Sequence, residues 1–158
     1  MLSATRTSAA VFTVLIGALL FGYFLTITQT PQKLTEILTG LGIGRYGVLG
    51  LIMVMYLLLG CLMDAMAMII LTVPIIYPVI IQLGFDPIWF GIIIVMTVEL
   101  GLIHPPVGMN VFVIKSVVKE VSFLTIFKGV IPFVITDILR LMILIAFPII
   151  ALWLPNRL

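Results

Sequence analysis

Apolar residues occupy four long stretches of the chain, at residues 8–28, 47–83, 87–118 and 131–154. Each stretch reaches or exceeds the ~20 residues that a helix needs to cross a bilayer. The apolar runs are continuous rather than alternating, which argues against an outer-membrane barrel. The pattern therefore predicts an all-α, polytopic membrane protein that forms a single membrane domain.

Composition supports this class and excludes others. The 158 residues are 63% hydrophobic and 9% charged, whereas soluble domains are about half apolar and about a quarter charged. A net charge of +2 is too small for a nucleic-acid surface, so no nucleic-acid partner is expected. Cys61 is the single cysteine, which excludes an intrachain disulfide and predicts a small packing residue.

The first stretch, 8–28, is long enough to span the membrane, and no small-residue cleavage site follows it. We therefore expect a retained helix and not a signal peptide. Residues 30–44 are too short and too polar to span, and they predict an interfacial connector that lies on the membrane surface. Its apolar face is expected at Leu34, Ile37, Leu38 and Leu41.

The stretch 47–83 is interrupted once, at the sequence from Gly60 to Asp64. It forms either two spans with a minimal turn or a re-entrant hairpin. The first arm has about 14 residues, fewer than the ~20 of a span. A turn that bears one acid, no basic residue and no recognisable cap is also a poor surface loop. Both observations favour the re-entrant hairpin.

The stretch 87–118 follows a clear boundary, since Gly84 ends the hairpin, Asp86 caps the next helix and Pro87 begins it. A single helix of this length would measure about 48 Å, well beyond the ~30 Å hydrocarbon core. Pro105 and Pro106 interrupt it, because they lack backbone donors. We expect two half-helices that meet near the middle of the membrane.

Ser122 predicts the start of a short surface helix that leads into a final span at 131–154. Asp137 and Arg140, three apart in that span, are expected to pair with each other or to reach the interface. The basic residues outside the spans give a weak bias for an internal N-terminus. One side would carry Arg6, Lys115, Lys119 and Lys128, and the other Lys33, Arg45 and Arg157.

A broken helix offers two useful ends. The half that ends near Leu100 presents carbonyl oxygens suited to Na⁺, and the half that begins near Val107 presents amides suited to a carboxylate. Secondary transporters use discontinuous helices in this way. The bland alternative is a proline kink that only shapes packing.

Several residues at the break and the hairpin are candidates for binding substrate or sodium. Intramembrane acids need a partner, a proton or an ion, and glycines allow close backbone approach. His104 either binds or hydrogen-bonds a freed carbonyl, and Thr72 is expected to bond backbone. The candidate set is Gly60, Asp64, Glu99, Gly101, His104, Pro105, Pro106, Gly108 and Asn110.

The run from Glu99 to Phe112 resembles the signature of the large membrane (permease) subunit of TRAP transporters, the tripartite ATP-independent periplasmic family. The hairpin sequence through Pro74 and the C-terminal run from Phe147 to Pro155 are also similar to that subunit. The resemblance implies a sodium-driven, elevator-like importer of organic anions such as carboxylates or sugar acids, located in the cytoplasmic (inner) membrane. It also implies two partners, a small membrane subunit and a periplasmic substrate-binding protein. No enzymatic activity and no cofactor other than Na⁺ as coupling ion are expected.

One departure limits this resemblance. The family's large subunit has two inverted repeats, each with a hairpin and a broken helix, and this chain shows one of each. The chain therefore resembles the C-terminal half, and a separate N-terminal half is an expected partner. His104 stands where threonine is common in the family. The alternative is a truncated, non-transporting fragment that only packs against partner subunits.

Overall fold

The computed structural model describes residues 2–104 and 108–157, and every regular element in these ranges is helical. The predicted all-α class is confirmed. The helices are α1 Leu2–Ile27, α2 Thr30–Gly40, α3 Gly44–Gly60, α4 Ala65–Gln82, α5 Pro87–Ile103, α6 Met109–Val117, α7 Phe123–Ala146 and α8 Pro148–Leu152, followed by a 3-10 turn at Pro155–Arg157.

Three helices are long and apolar enough to cross a membrane, at Ala4–Ile27, Ala65–Gln82 and Phe123–Ala146. Helices α3 and α5 are apolar but shorter, with 17 residues each. The chain is thus a multi-pass membrane protein. Pro105 and Pro106 lie outside the described residues.

Helix α5 forms the centre of the bundle. It packs against α3, α4 and α7, and its buried residues cover about half of its circumference, while Ile88, Val95 and Glu99 are exposed on the other side. Trp89, Phe90, Ile93 and Val98 are each at most 3% exposed. By contrast, α1 packs on α2 and α4 along one side and leaves most of its apolar side chains exposed.

The helix starts follow local chemistry. The Asp86 carboxylate accepts hydrogen bonds from the amides of Ile88 and Trp89, and the Ser122 hydroxyl accepts one from the Thr125 amide. Both caps were predicted. Gly84, with φ +74°, lies just after α4, as the predicted boundary required.

Helix α2 packs against the other helices on a face that differs from the apolar one marked in the sequence. The buried face of α2 consists of Pro31, Thr35 and Leu38, while Ile37 and Leu41 are exposed. Thr35 can be buried because its hydroxyl donates to the carbonyl oxygen of Pro31 at 2.7 Å. The apolar face expected from the sequence therefore lies partly outside the contacts with other helices, and the interfacial position of this connector stays a prediction.

The final helix also differs from the predicted span of 131–154. A single helix, α7, runs from Phe123 through Pro132 to Ala146, so no separate surface helix follows Ser122. The helix ends where Phe147 leaves helical geometry and Pro148 begins α8. Proline cannot supply the amide that would bond the carbonyl of Leu144, so α7 ends at Ala146, two residues before Pro148.

Candidate functional site at the hairpin tip and the helix break

The break between α5 and α6, hereafter the α5–α6 break, extends from His104 to Gly108. His104 takes an extended conformation (φ −75°, ψ 137°) while its amide still donates to the carbonyl of Leu100. A residue before proline is driven toward this region. Helix α5 therefore ends at Ile103 and α6 begins at Met109, within three residues of the predicted ends, and the predicted discontinuity is confirmed.

Gly108 places the start of α6 directly against the end of α5. Its backbone is left-handed, with φ +53°, a conformation that glycine adopts without strain. A Cβ at this position would lie 3.3 Å from the carbonyl oxygen of Ile103 and 3.4 Å from that of His104. The carbonyl end of one half-helix and the amide end of the other thus meet at a single glycine.

Gly60 and Gly101 bring the hairpin to the same place. A Cβ built on either residue would lie 3.0 Å from the Cα of the other, and a Cβ on Gly101 would also lie 3.2 Å from the carbonyl oxygen of Leu57. Contacts this short are tighter than nine in ten real Cβ contacts, so the neighbouring backbone would have to shift by a few tenths of an ångström. The last turns of α3 and α5 therefore touch backbone to backbone, which joins their carbonyl ends.

The carbonyl of Gly101 has unusual hydrogen-bond chemistry. In a continuous helix it would accept from residue 105, but proline has no amide hydrogen. Among the described residues, the buried thiol of Cys61 donates to it, with Sγ 3.6 Å from the Gly101 oxygen and 3.7 Å from the His104 oxygen. A thiol is a weak donor, so this oxygen keeps capacity for a stronger partner.

The depth of the site follows from α7. Ile103 and His104 line a cavity of about 160 Å³ together with α7 residues between Phe127 and Ile135. Those residues lie roughly 6 to 18 Å from the start of α7, which at 1.5 Å per residue is about 36 Å long. The α5–α6 break thus lies beside the first half of a helix long enough to span, and not beside its end.

Asp64 lies in the hairpin turn, four residues after Gly60. It lines a cavity of about 240 Å³ with Ala10, Val11 and Val14 of α1, which are about 9 to 15 Å along the membrane-spanning segment Ala4–Ile27. Its carboxylate accepts from the amides of Met66 and Ala67, at 3.0 and 3.2 Å. The hairpin turn is therefore capped, which corrects one observation used to predict a re-entrant hairpin.

The candidate site residues do not all lie at the α5–α6 break. Gly60, Gly101, His104 and Gly108 lie together, whereas Glu99 and Asn110 are exposed. In the ranges 2–104 and 108–157, no group of three or more His, Cys, Asp or Glu residues could hold a metal ion. Any cation at this site would therefore depend on backbone oxygens rather than on a side-chain cluster.

Three further side-chain contacts either were not predicted or decide between predicted alternatives. Thr72 donates to the carbonyl of Met68, as expected, and also shares a hydrogen bond with the hydroxyl of buried Tyr56, which links the two hairpin arms. Cys61 contacts the α5–α6 break and is more than a packing residue. Asp137 and Arg140 form the expected ion pair at 3.0 Å.

A hairpin tip packed on a discontinuous helix, inside a multi-pass bundle, is an arrangement of secondary transporters. Comparison with known proteins identifies the family. Residues 1–150 match the model described as "Tripartite ATP-independent periplasmic transporter, DctM component", and the chain belongs to this family.

The curated relatives are named as transport proteins with different substrates. The chain is 33% identical to the "C4-dicarboxylate TRAP transporter large permease protein DctM" of Rhodobacter capsulatus, over 100% of this chain and 36% of the relative. It is 31% identical to the "Sialic acid TRAP transporter large permease protein SiaM" of Vibrio cholerae, over 96% and 35%. It is 37% identical to the "Isethionate TRAP transporter permease protein DctMQ" of Oleidesulfovibrio alaskensis, over 72% and 18%.

The chain therefore spans about a third of the length of the large permeases it matches. The recognised resemblance to the large permease subunit is confirmed. All of the named relatives are transport components and not enzymes, in agreement with the non-enzymatic class expected from the sequence.

Proposed function

We propose that this chain is the C-terminal half of the large permease subunit of a sodium-coupled secondary transporter that imports small organic anions, carboxylates or sugar acids. The observation that carries the proposal is the contact of Gly60 with Gly101. It joins two helix ends whose carbonyl groups carry negative partial charge. Two such ends together favour a cation at a point beside the first half of α7.

Sodium is the cation that this chemistry suits best. The carbonyl oxygens of Gly101 and His104 lie within reach of one thiol and are neutral, compact ligands suited to a hard monovalent ion. Binding would exchange the weak contact from Cys61 for ion coordination. Asp64, in the hairpin turn that follows Gly60, would supply negative charge near the tip, and Glu99 would do so from the exposed face of α5, since acids at membrane depth need a counter-ion or a proton.

The substrate anion would bind at the opposite end of the break. Helix α6 begins at Met109, just after Gly108, and its first amides point back toward the break. Asn110 lies in this first turn and offers an amide side chain. The two ends of one break would thus bind ion and anion side by side, which is a direct route to coupling.

In this proposal the transport site is formed jointly by this chain and its partner subunits. The family resemblance implies a second hairpin and a second broken helix in the complete site, and we propose that they lie in a part of the transporter outside these 158 residues. The small membrane subunit, the periplasmic substrate-binding protein and the cytoplasmic membrane location follow from the family. A chain that lacks these partners would be the non-transporting fragment of the alternative hypothesis.

The test is uptake of radiolabelled dicarboxylate into liposomes that contain all subunits, with and without an inward sodium gradient. We expect Gly60→Ala to abolish sodium-dependent uptake, because its Cβ would collide with Gly101. Gly50→Ala is the matched control, since a Cβ on this α3 glycine meets nothing within 4 Å. Equal uptake by the two variants would overturn the site, and no uptake by the wild-type assembly would favour the fragment.

A further inference from the structure

A small polar cavity lies at the end of the bundle opposite the hairpin tip. It has a volume of about 160 Å³ and is lined at the start of α3, in the loop between α4 and α5, and at Pro148. The cavities near the tip and break are mainly apolar, whereas this one is lined by both Arg45 and Asp86. It lies at the level where α7 ends, the membrane boundary for a helix that spans.

Aromatic rings hold the Arg45 side chain in place. Its guanidinium carbon is 4.9 Å from the ring centroid of Tyr46 and 5.5 Å from that of Phe85. Phe85 in turn stacks on Trp89, with centroids 5.2 Å apart. One edge N–H, on Nη2, donates to the Tyr46 hydroxyl at a long 3.4 Å, and the cation–π contacts use the face of the guanidinium, which leaves its other N–H donors for an anion.

Asp86 presents the opposite charge to the same cavity. One carboxylate oxygen, Oδ1, accepts from the amides of Ile88 and Trp89 at 2.8 and 3.0 Å, which fixes the side chain. In the described ranges the one ion pair within 4.0 Å is that of Asp137 with Arg140. Arg45 and Asp86 therefore line one cavity without neutralising each other.

We propose that this cavity binds the zwitterionic headgroup of a phosphatidylethanolamine lipid. Its phosphate would bind the Arg45 guanidinium, and its primary ammonium would donate to the Asp86 carboxylate. Tyr46 and Trp89 are the residue types that mark a membrane interface. Exposed apolar side chains beside the cavity, Ile88 at 51% and Ile149 at 70% exposure, would contact acyl chains, which selects a lipid over a soluble zwitterion.

The experiment measures lipid binding to the purified 158-residue chain in detergent, by native mass spectrometry and by thermal unfolding. The lipids are phosphatidylethanolamine, phosphatidylcholine, whose quaternary ammonium has no N–H, and phosphatidylglycerol, which has no cation. We expect phosphatidylethanolamine to bind about tenfold more tightly than either of the others, the effect of one charge-assisted hydrogen bond.

Two variants separate the two charges. Arg45→Gln should remove binding of all three lipids at this site, whereas Asp86→Asn keeps a good helix cap and should abolish only the preference for phosphatidylethanolamine. Arg157→Gln is the matched control, because Arg157 also lies over an aromatic ring, that of Trp153 at 5.6 Å. It should bind lipids as the wild type does.

Three results would overturn the proposal. The first is equal binding of the three lipids by the wild type, and the second is an equal loss of binding in Arg45→Gln and Arg157→Gln. The third is stabilisation by soluble phosphoethanolamine that matches the lipid, which would assign the cavity to a free zwitterion.

Discussion

The α5–α6 break and the α7–α8 break, at Phe147 and Pro148, both follow an apolar helix and both remove a backbone donor with proline. They differ in what replaces that donor. At the α7–α8 break, the indole of Trp89 donates to the carbonyl of Leu144 at 2.9 Å, the oxygen that Pro148 leaves without its helical partner. At the α5–α6 break, the described donor to the carbonyl of Gly101 is a thiol at 3.6 Å.

This difference separates a structural break from a candidate site. An indole N–H at 2.9 Å replaces the missing amide with a donor of normal strength, so the Leu144 oxygen has no need of a further partner. The thiol is a weak donor, and Gly60 and Gly101 bring the backbones of α3 and α5 into direct contact beside it. A proline in a membrane helix is therefore not sufficient to indicate a functional site. The strength of the donor that replaces the missing amide is what distinguishes the two breaks.

The largest effect is expected from Gly101→Ala. The new Cβ would lie 3.0 Å from the Cα of Gly60 and 3.2 Å from a carbonyl oxygen, and neither backbone atom can move without displacing a helix. Overpacking of this kind destabilises by about 1–3 kcal/mol, and we expect sodium-dependent uptake by the assembled transporter to be lost. Gly91→Ala, on the same helix with nothing within 4 Å, should retain uptake, and a similar loss in both would contradict the comparison.

The next largest effect is expected from Trp89→Phe, which tests the α7–α8 break. The ring remains but the donor is removed, so the Leu144 carbonyl is left unpaired at a cost of about 1–3 kcal/mol. Thermal unfolding in detergent measures this. Trp153→Phe, at an exposed position (59%), should change stability by less than about 0.5 kcal/mol.

If the two breaks differ as argued, Trp89→Phe lowers stability without changing the sodium dependence of uptake. A change in the sodium concentration for half-maximal uptake in Trp89→Phe would show that the α7–α8 break also contributes to the site. The assignment of one break to structure and the other to transport would then be wrong.

Local signals in the sequence predicted the parts of this structure that depend on neighbouring residues. The caps at Asp86 and Ser122, the pair of Asp137 with Arg140 and the discontinuity before Met109 each follow from residues within a few positions. The contacts that distinguish the breaks join Cys61 with Gly101 and Trp89 with Leu144, which are 40 and 55 residues apart. No periodicity or cap rule encodes such pairs, because they depend on how helices pack.

A smaller effect is expected at Asp64, where helix capping and ion binding must be separated. Asp64→Ala removes the acceptor for two amides of α4 and should lower stability by about 1 kcal/mol. Asp64→Asn keeps the cap and removes the charge, so its stability should match the wild type while sodium-dependent uptake falls. Unchanged uptake in Asp64→Asn would restrict Asp64 to its capping role and leave the backbone carbonyls as the candidate ligands.

The smallest effect is expected from Tyr56→Phe, which tests whether polar contacts or backbone packing position the hairpin. The change removes the hydrogen bond between the arms, but Thr72 still donates to the carbonyl of Met68 at 2.7 Å. Hydrogen bonds between membrane helices contribute about 0.6 kcal/mol on average, so thermal unfolding should change slightly and uptake not at all. Tyr77→Phe, at a position 45% exposed, is the control. A loss of uptake in Tyr56→Phe as large as that in Gly101→Ala would mean that this bond, and not the contact of Gly60 with Gly101, holds the tip against the α5–α6 break.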